Sequence, residues 1–415
     1  VPSSTLAVPP PTIARHHGLD WLRIGAFGFL ILFHIGMFFV PGNWIVKTER
    51  PIHWIGYPML ALMPWRLPLL FVVSGYASRA LLSKLPDPGR FALSRSRRLL
   101  IPLLFGVAII VPPQTWVRMI EHHGYSGSFG HFWMVDWFGF NTLDGVQLPN
   151  TEHLWFVVSL WLYSMLLAAA LAFSGPALRD RAQQAIDWLA VDARLLWAPL
   201  VVLETIRMAM LFTVSESHGL LDDWVGDAIY VPAFLFGFAL AGRPRLWPPI
   251  LRLWKPALAL ALVCYAAIVW IEHRYGEVGP HLPHAIRRAC ELAMGWSAIL
   301  LLLGVADRWL ARDHAWRKTL SEAVFPFYLI HQTIIVMTGW WLRDRGLSAF
   351  SEFVMMLAAT ILGCWFFYRI GREIGWLRPL IGLGPVVPAR AETRAAPDEA
   401  RDGAPSAGAG PLLDP

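Results

Sequence analysis

The chain is patterned by length rather than by a short period. Apolar stretches of about 17 to 25 residues recur between residues 21 and 374, divided by short segments that hold most of the charge. A helix of that length crosses roughly 30 Å of hydrocarbon at about 1.5 Å per residue. The stretches predict spans near 21–40, 57–82, 96–117, 153–173, 196–213, 226–242, 255–271, 285–305, 323–343 and 352–374. The second and third are long enough to tilt or to project from the bilayer. In hydrocarbon a lone segment satisfies its backbone only as a helix. The fold class expected is therefore all-α, a polytopic membrane protein with about ten transmembrane helices.

Composition supports this. Hydrophobic residues make up 56% of the chain and charged residues 15%, against about 25% charged in soluble proteins. The net charge of +6 does not call for a nucleic-acid partner, because the basic residues fall in alternate loops. Lys84, Arg90, Arg95, Arg97 and Arg98 form one group. Arg179, Arg181 and Arg194 follow, then Arg243, Arg245 and Arg252, then Arg308, Arg312, Arg317 and Lys318. The positive-inside rule makes these loops cytoplasmic and the acid-bearing loops with Asp136, Asp144, Glu152, Glu216, Asp222 and Asp223 external. An even span count then puts both termini in the cytoplasm.

Residues 1–19 are Pro-rich and lack signal-peptide features, so the first apolar helix is expected to direct insertion. Residues 20–380 form the membrane domain, and 385–415, rich in Ala, Pro, Gly and charge, are expected to be a disordered cytoplasmic tail. Cys264, Cys290 and Cys364 sit in apolar segments without the spacing of a disulfide framework or a metal site. The longest external connection, about 114–152, carries His122, His123, Tyr125, Trp133 and Trp137. It is read either as a lid or substrate platform or as an interfacial segment with its aromatics at headgroup level.

Function must lie with the polar residues inside the spans, each of which needs a partner, a cavity or a role. Arg23 and His34 are eleven residues apart in the first helix, which leaves them about 20° apart around the axis and about 16 Å apart along it. They share a face, with His34 near mid-membrane. Arg23 either pairs with Asp20 or acts on a ligand; His34, with an ordinary imidazole pKa of about 6.5, suits a general base. Ser74 and Gly75 allow either close helix packing or a narrow ligand passage. Arg95, Arg97 and Arg98 either set topology or hold phosphates at the inner face. His153 beside Trp155 reads as an ordinary boundary residue. His331, with Tyr328 three residues before it, either bridges helices or joins a proton network. Glu204 and Arg207 read as an internal ion pair.

With these residues in place the chain resembles the membrane acyltransferase 3 family over about residues 18–380, and within it the glucan biosynthesis protein C branch of periplasmic-glucan succinyltransferases. The resemblance rests on the Arg with a His eleven residues on. It rests also on RLPLLFVVSGYAS, RRLLIP, HLWF, YVPAFLFGFALA, HRYG and FPFYLIHQ, in the same order. It implies an inner-membrane enzyme that moves an acyl group, succinyl or acetyl, from a cytoplasmic acyl-CoA-type donor to a hydroxyl of a periplasmic or cell-surface glucan. No permanently bound cofactor is implied, the donor being a co-substrate. His34 would be the base, Arg23 would orient the donor or meet developing charge, and Arg95, Arg97 and Arg98 would hold donor phosphates. Ser74, Gly75, Tyr328 and His331 would line the passage. The competing reading is a transporter or proton-coupled carrier using the same Arg and His residues.

Overall fold

A computed structural model describes residues 16–211, 213–214, 223–276 and 280–384. Most of the Pro-rich start, the acids Glu216 and Asp222, and the tail from residue 385 lie outside the described residues. What is described is almost wholly helical. Helix α1, His17–Phe39, begins four residues before the expected span. Next come α2, Gly56–Lys84, and α3, Pro88–Phe105. The start of α3 is set by Pro88 at its first position and by Asp87, whose carboxylate accepts the Arg90 amide at 2.7 Å.

The third span does not end near residue 117. Helix α3 runs through a π-turn, Gly106–Ile110, into α4, Pro112–His123, bent by 45°. Pro112 and Pro113 lack the amides that would continue the ladder, and their rings crowd the preceding turn. The connection expected to be external is therefore shorter than its predicted 114–152, about 124–151. It holds the single turn α5, Phe129–His131, and a hairpin of β1, Thr142–Leu143, with β2, Val146–Gln147. Two of its tryptophans pin it to the helix before it. The indole N–H of Trp133 donates to the Ala108 carbonyl at 2.9 Å, and that of fully buried Trp137 donates to Val107 at 3.0 Å. Both carbonyls lie in the π-turn, next to the bend.

Helix α6, Trp155–Phe173, leads to α7, Pro176–Leu189, which the charge pattern alone had marked as a loop. Leu178, Ala182, Ile186 and Leu189 recur on one side of it, the spacing of an amphipathic surface helix. The remaining helices are α8, Arg194–Met210; α9, Trp224–Gly242; α10, Trp247–Arg252; α11, Trp254–Tyr275; α12, His281–Trp309; α13, Ala315–Leu342; α14, Ala349–Glu373; and α15, Leu377–Leu380.

Among the described residues 8 helices are long and apolar enough to cross a membrane, 9 if the bent α3–α4 pair is one span. Helix α8, at 17 residues, is shorter than these. Every stretch expected to span coincides with a helix. Helices α1, α2, α12 and α13 pack on one another at the centre; α11 lies against α12, α14 against α13, and α3 against α6. The tightest crossing joins α2 to α9. A Cβ at Gly75 would fall on the Phe234 carbonyl oxygen, and one at Gly237 on that of Val72, so only glycine permits the approach.

Candidate active site

Helices α1 and α13 bring two imidazoles together at the centre of the bundle. His34 Nδ1 lies 3.0 Å from His331 Nε2, and His331 Nδ1 lies 2.8 Å from the Tyr328 carbonyl. A carbonyl can only accept, so the proton on His331 is at Nδ1 and its Nε2 carries a lone pair. That lone pair accepts from His34 Nδ1–H, which leaves the Nε2 of a neutral His34 unprotonated. His331 is fully buried, whereas His34 is half-buried and lines a cavity.

Behind this pair stands His153, whose Nε2–H donates to the carbonyls of Tyr328 and Leu329 at 3.1 and 3.0 Å. Its Nδ1 is 3.4 Å from the Gln114 amide, and its ring lies edge-on to His331 with centroids 5.2 Å apart. The Tyr328 hydroxyl donates back to the His153 carbonyl. His153, expected to be an ordinary boundary residue, is thus a buried part of the constellation.

The cavity measures about 1040 Å³, ample for an extended organic chain. Ile186 and Leu189 of α7, Arg207 of α8, and Arg288 and Glu291 of α12 line it together with His34 and Arg66. Along α8 its wall runs from Ala198 to Arg207, about 13 Å of helix. Neither serine nor cysteine is among the described residues that line it.

Several expected residues fall elsewhere. Arg23 shares the His34 face of α1, but its Nη2 donates to the carbonyl and hydroxyl of Ser321 at 2.6 and 2.8 Å. Asp20 meets Arg317 at 2.5 Å. Gly75 is occupied by the backbone of α9, and the Ser74 carbonyl accepts the Ser78 hydroxyl at 2.8 Å; neither lines the cavity. Tyr328 supplies a carbonyl behind the imidazoles rather than a cavity wall. Buried Arg95 turns to the Ser164 hydroxyl at 3.1 Å, while Arg97 and Arg98 are exposed. Arg207 has Glu291 of α12 at 3.8 Å, a cross-helix ion pair that stands beside its electrostatic interaction with Glu204.

Two groups went unmarked by the sequence. Arg66 sits inside α2 and lines the cavity beside His34. Its signal was available, an arginine ten residues into a span with no acid three or four positions away. His153 had no such signal, since its depth depends on the bend that begins the preceding loop.

Apolar helices around a buried imidazole chain that opens on an internal cavity define a multi-pass membrane protein with an intramembrane site. The family pattern described as "Acyltransferase domain" (Acyl_transf_3) matches residues 16–369, and the chain belongs to this family. It is a membrane acyltransferase. Relatives named "Glucans biosynthesis protein C", from Escherichia coli O139:H28 (strain E24377A / ETEC), strain SMS-3-5 and strain O9:H4 (HS), are each 22% identical over 385 residues. The alignments cover 91% of this chain and 97% of each relative. No solved structure matches.

Proposed function

We propose that the chain is an inner-membrane O-acyltransferase with about ten spans and both termini cytoplasmic. It moves an acyl group, succinyl or acetyl, from a cytoplasmic acyl-CoA-type thioester to a hydroxyl of a periplasmic or cell-surface glucan-like carbohydrate. The observation that carries this reading is the tautomer chain that leaves His34 Nε2 free on the cavity wall. That nitrogen takes the proton of the acceptor hydroxyl as its oxygen attacks the thioester carbonyl. The tetrahedral adduct then expels the thiolate, which recovers the proton from His34. His331 acts as a positioning residue, holding His34 in the tautomer and orientation the step requires.

The cavity's extent along α8 suits a site where an inner donor meets an outer acceptor. Relatives named for glucan biosynthesis support the carbohydrate acceptor. Arg97 and Arg98, which are exposed, would meet the donor's phosphates at the cytoplasmic face. Arg23 holds α1 to α13 through Ser321 below the imidazole pair.

The deciding experiment uses the full chain in proteoliposomes with donor supplied on one side and glucan on the other. Acyl transfer releases free CoA only when acceptor is present, whereas a carrier would move intact substrate without losing a thioester. His34→Ala should lower acceptor-dependent CoA release about 10²- to 10⁴-fold while the protein remains inserted, and full activity of that variant overturns the proposal. Mass spectrometry of surface glycans with and without the protein names acyl group and acceptor together.

A further inference from the structure

Arg66 carries a charge that nothing among the described residues balances. It is 4% exposed, and no ion pair found among those residues includes it. Its Nε and Nη1 have no hydrogen-bond partner. Three other buried arginines have carboxylates: Arg207 meets Glu291, Arg287 meets Glu272 and Glu291, and Arg317 meets Asp20 and Asp313. Among the described residues Arg95 meets only the neutral Ser164 hydroxyl, and it does not line the cavity. An isolated guanidinium inside a membrane bundle is costly, and such groups persist where a ligand or a reaction supplies the opposite charge.

The guanidinium is also held in place. It lies over the Phe33 ring at 3.7 Å from the centroid, and that ring is 6.1 Å from the His34 ring, so guanidinium and imidazole are within about 10 Å of each other. Both line the same cavity. A thioester carbonyl placed at His34 Nε2 would lie near Arg66, while the donor's phosphates would be a full pantetheine arm away. Arg23, about 16 Å from His34 along α1 and engaged by Ser321, is too far to act there.

We infer that Arg66, rather than Arg23, is the group that binds the oxyanion of the tetrahedral adduct. The inference rests on the acyl-transfer reading. As the acceptor oxygen bonds to the carbonyl carbon, its proton passes to His34 Nε2 and the carbonyl π pair moves onto oxygen. That anion meets the guanidinium of Arg66 on the cavity wall. When the carbonyl reforms, the C–S bond breaks and the thiolate takes the proton back from His34. An oxyanion donor already aimed and dry contributes more than one that must reorganise.

The test compares wild type, Arg66→Gln and Arg66→Lys as full chains in lipid nanodiscs. Acetyl-CoA and succinyl-CoA are used separately, with β-glucan oligosaccharides as acceptor, and free thiol is followed. Arg66→Gln should lower kcat about 10²- to 10³-fold with either donor, with KM within about twofold, and Arg66→Lys should recover part of the loss. Arg66→Gln should also raise the melting temperature, since it removes an unbalanced charge, whereas a structural arginine would lower it. Full kcat in Arg66→Gln, or a lower melting temperature, overturns the inference and leaves the acyl-transfer reading intact. So does a rise in KM confined to succinyl-CoA, which would make Arg66 a counter-ion for a carboxylate on the acyl group. Absence of thiol release by wild type with both donors overturns the acyl-transfer reading and this inference with it.

Discussion

If His331 acts only through His34, its removal must matter only while His34 is present. The bond between them is a single neutral contact of 3.0 Å at rest, worth about 0.5–1.5 kcal/mol, and about 1.5–3 kcal/mol once His34 is charged in the transition state. Only the difference, about 1–1.5 kcal/mol, reaches the barrier, so His331→Ala should lower kcat by roughly 5- to 13-fold, at about 1.4 kcal/mol per decade. His34→Ala removes the base and should lose about 10²- to 10⁴-fold. The double variant should match His34→Ala within about twofold, because an orienting group with nothing to orient contributes no further loss. Acceptor-dependent CoA release by the three variants in proteoliposomes, normalised to inserted protein, gives the comparison. A double variant whose loss is the product of the two single losses would show that His331 acts independently and refute the assigned tautomer chain.

Further outcomes follow from the fold. Gly75→Ala should lose about 1–3 kcal/mol of stability because its Cβ meets the Phe234 carbonyl, and an unchanged melting temperature would refute that crossing. Trp137→Phe removes the donor to the Val107 carbonyl and should cost about 1–3 kcal/mol, with raised hydrogen exchange at the α3–α4 bend as its signature. Neutralising Arg97 and Arg98 should raise the KM for the donor; altered topology with unchanged KM would assign them to insertion alone. Outside the membrane, hydrogen bonding to Arg317 draws the Asp313 carboxyl down to about 2 from its ordinary 3.8. A depressed acid stabilises the fold above its unfolded pKa and loses that contribution as pH falls through the folded value. Asp313→Asn should therefore flatten the melting temperature between about pH 4 and pH 2, where wild type declines.

Apolar length alone located every long helix, because hydrocarbon thickness fixes the number of residues needed to cross it. The Arg23–His34 face was legible too, since helical geometry relates eleven residues without tertiary information. What escaped were features set by neighbours. The bend at Pro112 converts expected loop into α4, and α7 hides in a stretch whose charge drew more notice than its spacing. Gly75 had two meanings in sequence, and only the position of α9 separates them. Arg66 was visible as an unpaired charge in a span, yet its relation to His34 depends on Phe33 and on how α1 lies against α2. His153 owes its place to two carbonyls more than 170 residues away.

The imidazole chain begins at the cavity and ends on the Tyr328 and Leu329 carbonyls. A peptide oxygen accepts a hydrogen bond but does not pass a proton onward, so the chain is a cul-de-sac. In the proposed transfer, a proton taken up by His34 finds no exit through His331 and returns to the departing thiol. Polar groups at mid-membrane thus need not short-circuit the bilayer, and turnover should proceed without dissipating the membrane potential.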